Sequence, residues 1–160
     1  MNLVKHRAHR EERIAPTPQT VAHLKPIAAE DLRRGRHNSL DLERACDEIA
    51  LVYEAITEPA LVGNMDRDGS GSGMASDPLS RMSAQEDRLW RERYRPWAHE
   101  MAKHKIRAMR WPNPTQLQLT LDLVALNLSP MEIALNRGVG PNAVKAMVID
   151  ALEAYVRLVR

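Results

Sequence analysis

The chain has 160 residues, enough for one domain or two small ones, and its 44% hydrophobic and 28% charged residues are the balance of a globular protein. No apolar run approaches the roughly 20 residues that cross a bilayer, the N-terminal MNLVKHRAHREER lacks the apolar core of a signal peptide, and Cys46 stands alone, so no membrane span, no export and no intramolecular disulfide are expected, as suits a reducing cytoplasm. The net charge is only +2, but it is uneven: residues 1–62 carry −1, 63–78 carry −2, 112–160 carry 0, and 79–111, with nine Lys/Arg against four Asp/Glu, carry +5.

In chain order, residues 1–18 read as a basic flexible arm ending in Pro-Thr-Pro. A helical region should span 19–62. Within it, Thr20 to Leu24 can form a turn before Pro26, and Ile27 to Arg34 reads as a short helix stopped by Gly35. Ser39 is placed to cap a stronger helix over about Leu40 to Thr57, where Leu42, Ala45, Ile49, Val52 and Ile56 form one apolar stripe. Pro59 is expected to lie past its end. Gly63 to Ser76 is rich in Gly and Ser, so 63–78 reads as a flexible linker or loop.

The remaining segment, 79–160, is expected to hold basic helices and a DNA-binding module. Ser83-Ala-Gln-Glu86 is a capping-box sequence, so a helix should begin near Ala84 and break or kink at Pro96. Trp97 to Met109 reads as a second helix, ended by Trp-Pro-Asn-Pro at 111–114. Thr115 to Leu128 fits both a strand period and a helix period; its length and lack of β-branched enrichment favour a buried helix. No convincing strand appears, so the fold class is all-α, a helical bundle. With no phenylalanine, the core must come from Leu, Val, Ile, Ala and Met, and Trp90, Trp97 and Trp111 are expected to join it, with stacking on single-stranded bases as the alternative.

Ser129-Pro130-Met131-Glu132 places a cap, a first-turn proline and a third-position glutamate at a helix start. Ala134 permits close helix approach, Gly138 suits a positive φ, and Val139 fills the space between two helices. Pro141 opens a second helix whose Val144 and Met147 face the first. The stretch LVALNLSPMEIALNRGVGPNAVK resembles the helix-turn-helix of LuxR-type regulators and of region 4 of sigma factors, through Leu128, Ser129, Glu132, Ile133, Ala134, Val139, Val144 and Lys145. Arg137 stands where those families have an apolar residue, and Gly140 where Ser or Thr usually caps. More weakly, the organisation resembles late-gene regulators of phages and gene transfer agents, among them the Q-type antiterminators.

The resemblance implies a DNA-binding transcription regulator that meets double-stranded DNA and contacts RNA polymerase or its sigma factor, with a location at the nucleoid. The second helix would enter the major groove, with Asn142, Lys145, Ala146 and Ile149 outward and Arg137 beside them. Asn142 can pair with an adenine edge, and Lys145 can reach guanine or phosphate. Lys103, Lys105, Arg107 and Arg110 immediately precede the module and are expected to contact phosphates. Two other classes stay open: a phage terminase small subunit that binds DNA for packaging, and a helical adaptor whose motif only packs. A stable ring of many subunits would mark the first. Oligomeric state is not fixed by the residues.

No catalytic constellation or phosphate-binding loop is visible, so neither an enzyme nor a cofactor is expected. His99-Glu100-Met-Ala-Lys-His104 nearly spells a zinc-protease motif, but its histidines are one residue too far apart to share a helix face. Asp66-Arg-Asp68-Gly-Ser70-Gly71 with Asp77 has calcium-loop spacing, without the usual bidentate Glu and with Pro78 where a helix should leave. Cys46 reads as a small buried hydrophobe.

Overall fold

The computed structural model describes residues 22–27, 29, 39–62 and 78–158. The predicted arm at 1–18, nearly all of the predicted linker with its calcium-like spacing, and most of the predicted helix from Ile27 to Arg34 lie outside the described residues. Among the described residues every regular element is helical, and the one strand-like pairing is an isolated antiparallel bridge between Lys105 and Thr115. The elements are α1 (Ser39–Val62), α2 (Pro78–Arg81), α3 (Ala84–Leu89), a π-helical segment (Trp90–Tyr94), α4 (Arg95–Lys103), α5 (Gln116–Val124), α6 (Pro130–Arg137) and α7 (Pro141–Arg157). Residues 22–27 are also helical and place Leu24 and Ile27 in the core.

Each boundary has a local cause. Ser83 and Glu86 form the expected capping box, with Glu86 N donating to Ser83 Oγ at 3.2 Å and Ser83 N to Glu86 Oε2 at 2.8 Å. A second box, Thr115 with Gln118, starts α5. α1 extends five residues past its expected end, through Pro59 to Val62. A proline this close to a helix end removes one intrahelical hydrogen bond and leaves only a short stretch beyond it.

Pro96 does not break its helix either. The chain stays helical from 84 to 103, and the turn just before the proline is wider: Arg95 N donates to the Trp90 carbonyl five residues back. A proline ring collides with the carbonyl four residues before it, and a π turn relieves that crowding.

The expected second helix stops at Lys103 instead of Met109, because His104 is extended (φ −84°, ψ 101°). Ile106 and Ala108 then pack on the core while Lys105, Arg107 and Met109 face solvent. That is the alternation of an extended chain, not of a helix.

The core lies between α1 and α7, closed by α4 and α5. α1 contributes Leu42, Ala45, Cys46, Ile49, Val52 and Ala55, all buried. α7 is buried along most of its length, through Val148, Ile149, Ala151, Leu152, Tyr155 and Val156. Trp97 of α4 is the largest fully buried side chain. Its ring lies 5.7 Å from Tyr94 and 5.6 Å from Tyr155, the latter edge-on, and its indole N–H donates to the Ala151 carbonyl at 2.8 Å. Arg93 joins the π segment to α1 by donating from Nη1 to both carboxylate oxygens of Glu48, at 2.8 and 2.6 Å.

Asp47 is half-buried on α1, and burial, then the carboxylates of Glu43 and Glu48, push its acid up to about 6 from 3.8. The protonated form is therefore favoured by folding. The stability it contributes is full below the ordinary value and is lost as pH rises through about 6. Asp47→Asn should raise the thermal midpoint at about pH 8, by an amount equivalent to about 1 kcal/mol after solvent screening, and leave it unchanged at about pH 4. Melting curves at the two pH values check this.

Candidate nucleic-acid interface

The helix pair begins as its residue types dictate. Glu132 N donates to Ser129 Oγ at 3.3 Å, and Ser129 N to Glu132 Oε2 at 2.7 Å, so the cap and the third-position glutamate satisfy each other's backbone donors. Pro130 fills the first turn of α6, where no N–H is needed. α6 ends at Gly138, which is left-handed (φ 66°, ψ 37°). Val139 is buried beneath the turn, and α7 starts at Pro141 with Gly140 before it and no side-chain cap. Ile133, Ala134, Val144 and Val148 pack between the helices and α5.

The segment 104–115 lies against this turn. It is closed at its base by two backbone bonds, Ile106 N to the Pro114 carbonyl and Gln116 N to the His104 carbonyl, each 2.8 Å. Asn113 Oδ1 accepts from Ala108 N at 3.1 Å, which braces the interior. Met109 N donates to the Gly138 carbonyl at 2.7 Å, and the Arg110 backbone and side chain lie beside Gly138. The loop tip and the helix turn are thus one surface.

Most cations of the +5 segment are already engaged. Arg88 pairs with Glu92 at 3.1 Å, Arg91 with Asp87 at 2.8 Å, Lys103 with Glu100 at 2.9 Å, and Arg93 with Glu48 as above. Arg95 lies over the Trp90 ring, 5.3 Å from its centroid. Lys105, Arg107 and Arg110 are exposed and have no ion-pair partner among the described residues. All three lie on the loop.

Of the residues expected to meet DNA, Asn142 and Ala146 are exposed and Lys145 is half-exposed, all on the first two turns of α7. Lys103, Lys105, Arg107 and Arg110 are exposed too, with Lys103 tied to Glu100. Ile149 is not outward: it is 5% exposed and belongs to the core, because α7 is covered by the bundle from Val148 onward. Asp150 is exposed one turn past Ala146 and ends the face that Asn142 begins, whereas Glu153 is buried.

Arg137 has a different task from the one expected. Its Nε and Nη2 donate to Asp122 Oδ2 and Oδ1 at 2.7 and 2.8 Å, a two-pronged pair that ties the end of α6 to α5. Asp122 is 3% exposed. The pair gives Arg137 a structural part at the end of α6. Its sequence signal was Asp122 itself, the one acid in the apolar run Leu117 to Leu128.

Trp111 was expected in the core and is 91% exposed, at the loop tip next to Met109, which is 95% exposed. Among the described residues no group of three or more His, Cys, Asp or Glu could hold a metal. His104 has left the helix that carries His99, and Glu100 faces Lys103. No helix of the described chain is long and apolar enough to cross a membrane. No family model, no curated protein and no solved structure matches the chain.

Removing Arg137 strands a buried carboxylate. Arg137→Ala should cost about 3 kcal/mol, whereas Asp122→Leu combined with Arg137→Leu should recover much of that loss; urea unfolding of both variants measures the difference. Gly138→Ala forces a left-handed backbone on a residue with a Cβ and should cost about 1–2 kcal/mol. The added Cβ would meet the Arg110 backbone at 3.4 Å, an ordinary contact, so the loop should stay docked. Hydrogen exchange at the Met109 amide would detect its release.

Proposed function

We propose that the chain is a double-stranded-DNA-binding transcription regulator, acting by binding and not by catalysis. The observation that carries this reading is the shared surface of the α6–α7 turn and the 104–115 loop. It sets Asn142, Lys145 and Ala146 on the open end of a helix and three unpaired cations beside them. The helix N-terminus is suited to a groove, and Lys105, Arg107 and Arg110 are suited to the flanking phosphates. Affinity then comes mainly from the loop and discrimination from Asn142 and Lys145. Asp150 confines the contact to the first two turns of α7.

The regulator is of phage type and docks at promoters, where it contacts RNA polymerase or its sigma factor as an activator or antiterminator. The resemblance of residues 115–158 to region 4 of sigma factors supports this. So does an exposed apolar pair on α6, Met131 and Leu135, one turn apart and away from the core.

The test is titration of labelled genomic fragments across salt concentrations. With Lys105, Arg107, Arg110 and Lys145 on phosphates or bases, the slope of log K against log salt should be about −3 to −4. Arg107→Ala should reduce that slope by about 1 and weaken all sequences equally. Lys145→Ala should weaken a preferred site more than bulk DNA, by about 1–3 kcal/mol. No binding even at low salt would reject the reading.

A further inference from the structure

Trp111 is a large apolar side chain placed in water, 91% exposed, whereas Trp97, Tyr94 and Tyr155 are buried and Trp90 and Tyr53 are half-buried. Its exposure is not that of a loose segment. The loop is closed at its base by two backbone bonds, braced by Asn113 and fastened to the Gly138 carbonyl two residues before Trp111. Met109, two residues earlier, is exposed as well, and the same loop carries Lys105, Arg107 and Arg110, exposed and without an ion-pair partner among the described residues. A purely apolar partner surface would cover the indole and leave the three cations unmatched, so the occupant that fits both features carries negative charge beside an apolar face. A nucleotide in a nucleic-acid strand offers both, a π-face on its base for the indole and a phosphate for the guanidinium groups.

We infer that the 104–115 loop is a base-stacking wedge: Trp111 stacks on an unpaired or unstacked base while Arg107 and Arg110 hold the adjoining phosphates. The inference rests on the DNA-binding reading and deepens it. It makes opened or kinked DNA the favoured substrate over a fully paired duplex. The helix turn and the wedge would meet neighbouring stretches of one DNA molecule, since both belong to one surface.

The experiment compares the full chain on a 5′-labelled paired duplex of about 30 base pairs and on the same duplex with a few central unpaired positions, by fluorescence anisotropy. The opened duplex should bind about tenfold tighter, the size of one base–aromatic stack. Trp111→Ala should abolish that preference and leave paired-duplex affinity within about twofold, whereas Trp111→Tyr should keep most of it. The exposed position makes misfolding of these variants a minor concern, and far-ultraviolet circular dichroism verifies it. Equal affinity of the wild-type chain for both duplexes, or a preference that survives Trp111→Ala, overturns the wedge while leaving DNA binding intact. Binding to neither duplex overturns both readings. If Trp111→Ala instead lowers the sedimenting mass and leaves DNA affinities unchanged, the tryptophan is covered by a second copy and the wedge is wrong.

Discussion

Two side chains grip the last helix by its backbone. The Trp97 indole N–H donates to the Ala151 carbonyl at 2.8 Å, and the Gln116 amide donates to the Met147 carbonyl at 2.9 Å. The two acceptors lie one turn apart on one stripe of α7. Inside an α-helix each carbonyl already receives the N–H four residues on. The added donors therefore do little for the existence of α7 and much for its rotation and axial position. A slip of one residue would turn the helix by about 100°. It would bring Val144 toward solvent and carry Asn142 and Lys145 off the open face. The outward set at the start of α7 depends on contacts made further along the same helix, at Met147 and Ala151.

The grip matters more because the core has so few large pieces. Without phenylalanine, the aromatic cluster of Tyr94, Trp97 and Tyr155 is the main bulk joining α4, the π segment and α7. Around it are Leu, Ile, Val and Ala, whose contacts are non-directional. Directional bonds fix what packing alone would leave able to slide: Trp97 to Ala151, Arg93 to Glu48, Arg137 to Asp122. Cys46 belongs to the packing class. Burial, then the nearby Asp47 and Glu43 carboxylates, push its thiol far up, so it carries no thiolate chemistry.

The legible parts of the fold were those set by local chemistry. Ser83 with Glu86, Ser129 with Glu132, Pro130 and Gly138 each announce a helix end within a few residues, and all stand where their types predict. The α1 stripe was readable for the same reason. What local chemistry hides is long-range pairing. Arg137 looks like a cation near a turn until Asp122, 15 residues earlier, is placed beside it. Ile149 sits at an outward register of a short reading helix, but the bundle covers that register. The first half of the loop, 104–109, falls in the stretch from Trp97 to Met109 that reads as helix, where Lys and Arg are good helix formers. Yet Lys105-Ile106-Arg107-Ala108 alternates with period two, a signal that outweighs propensity over so short a run. Trp111 was assigned to the core by composition, and composition says nothing about which tryptophan is buried.

Charge follows the same division between scaffold and rim. The +5 of residues 79–111 looks from sequence like a field spread over two helices. In the fold Arg88, Arg91 and Arg93 are matched by acids a turn away or across the bundle and Arg95 lies over Trp90, while Lys105, Arg107 and Arg110 gather on the loop. Exposed pairs of that kind add little stability, but they cancel field locally, which sharpens the contrast at the rim. The loop's place beside α7 rests on the Met109 to Gly138 bond and on contact with Arg110. Gly138 thus serves two structures at once. Its left-handed backbone turns α6 into α7, and its carbonyl is the anchor for the cationic tip. Gly138 therefore acts together with the base bonds of the loop and the Trp97 and Gln116 bonds to α7, and these shared constraints fix how loop and helix sit against each other.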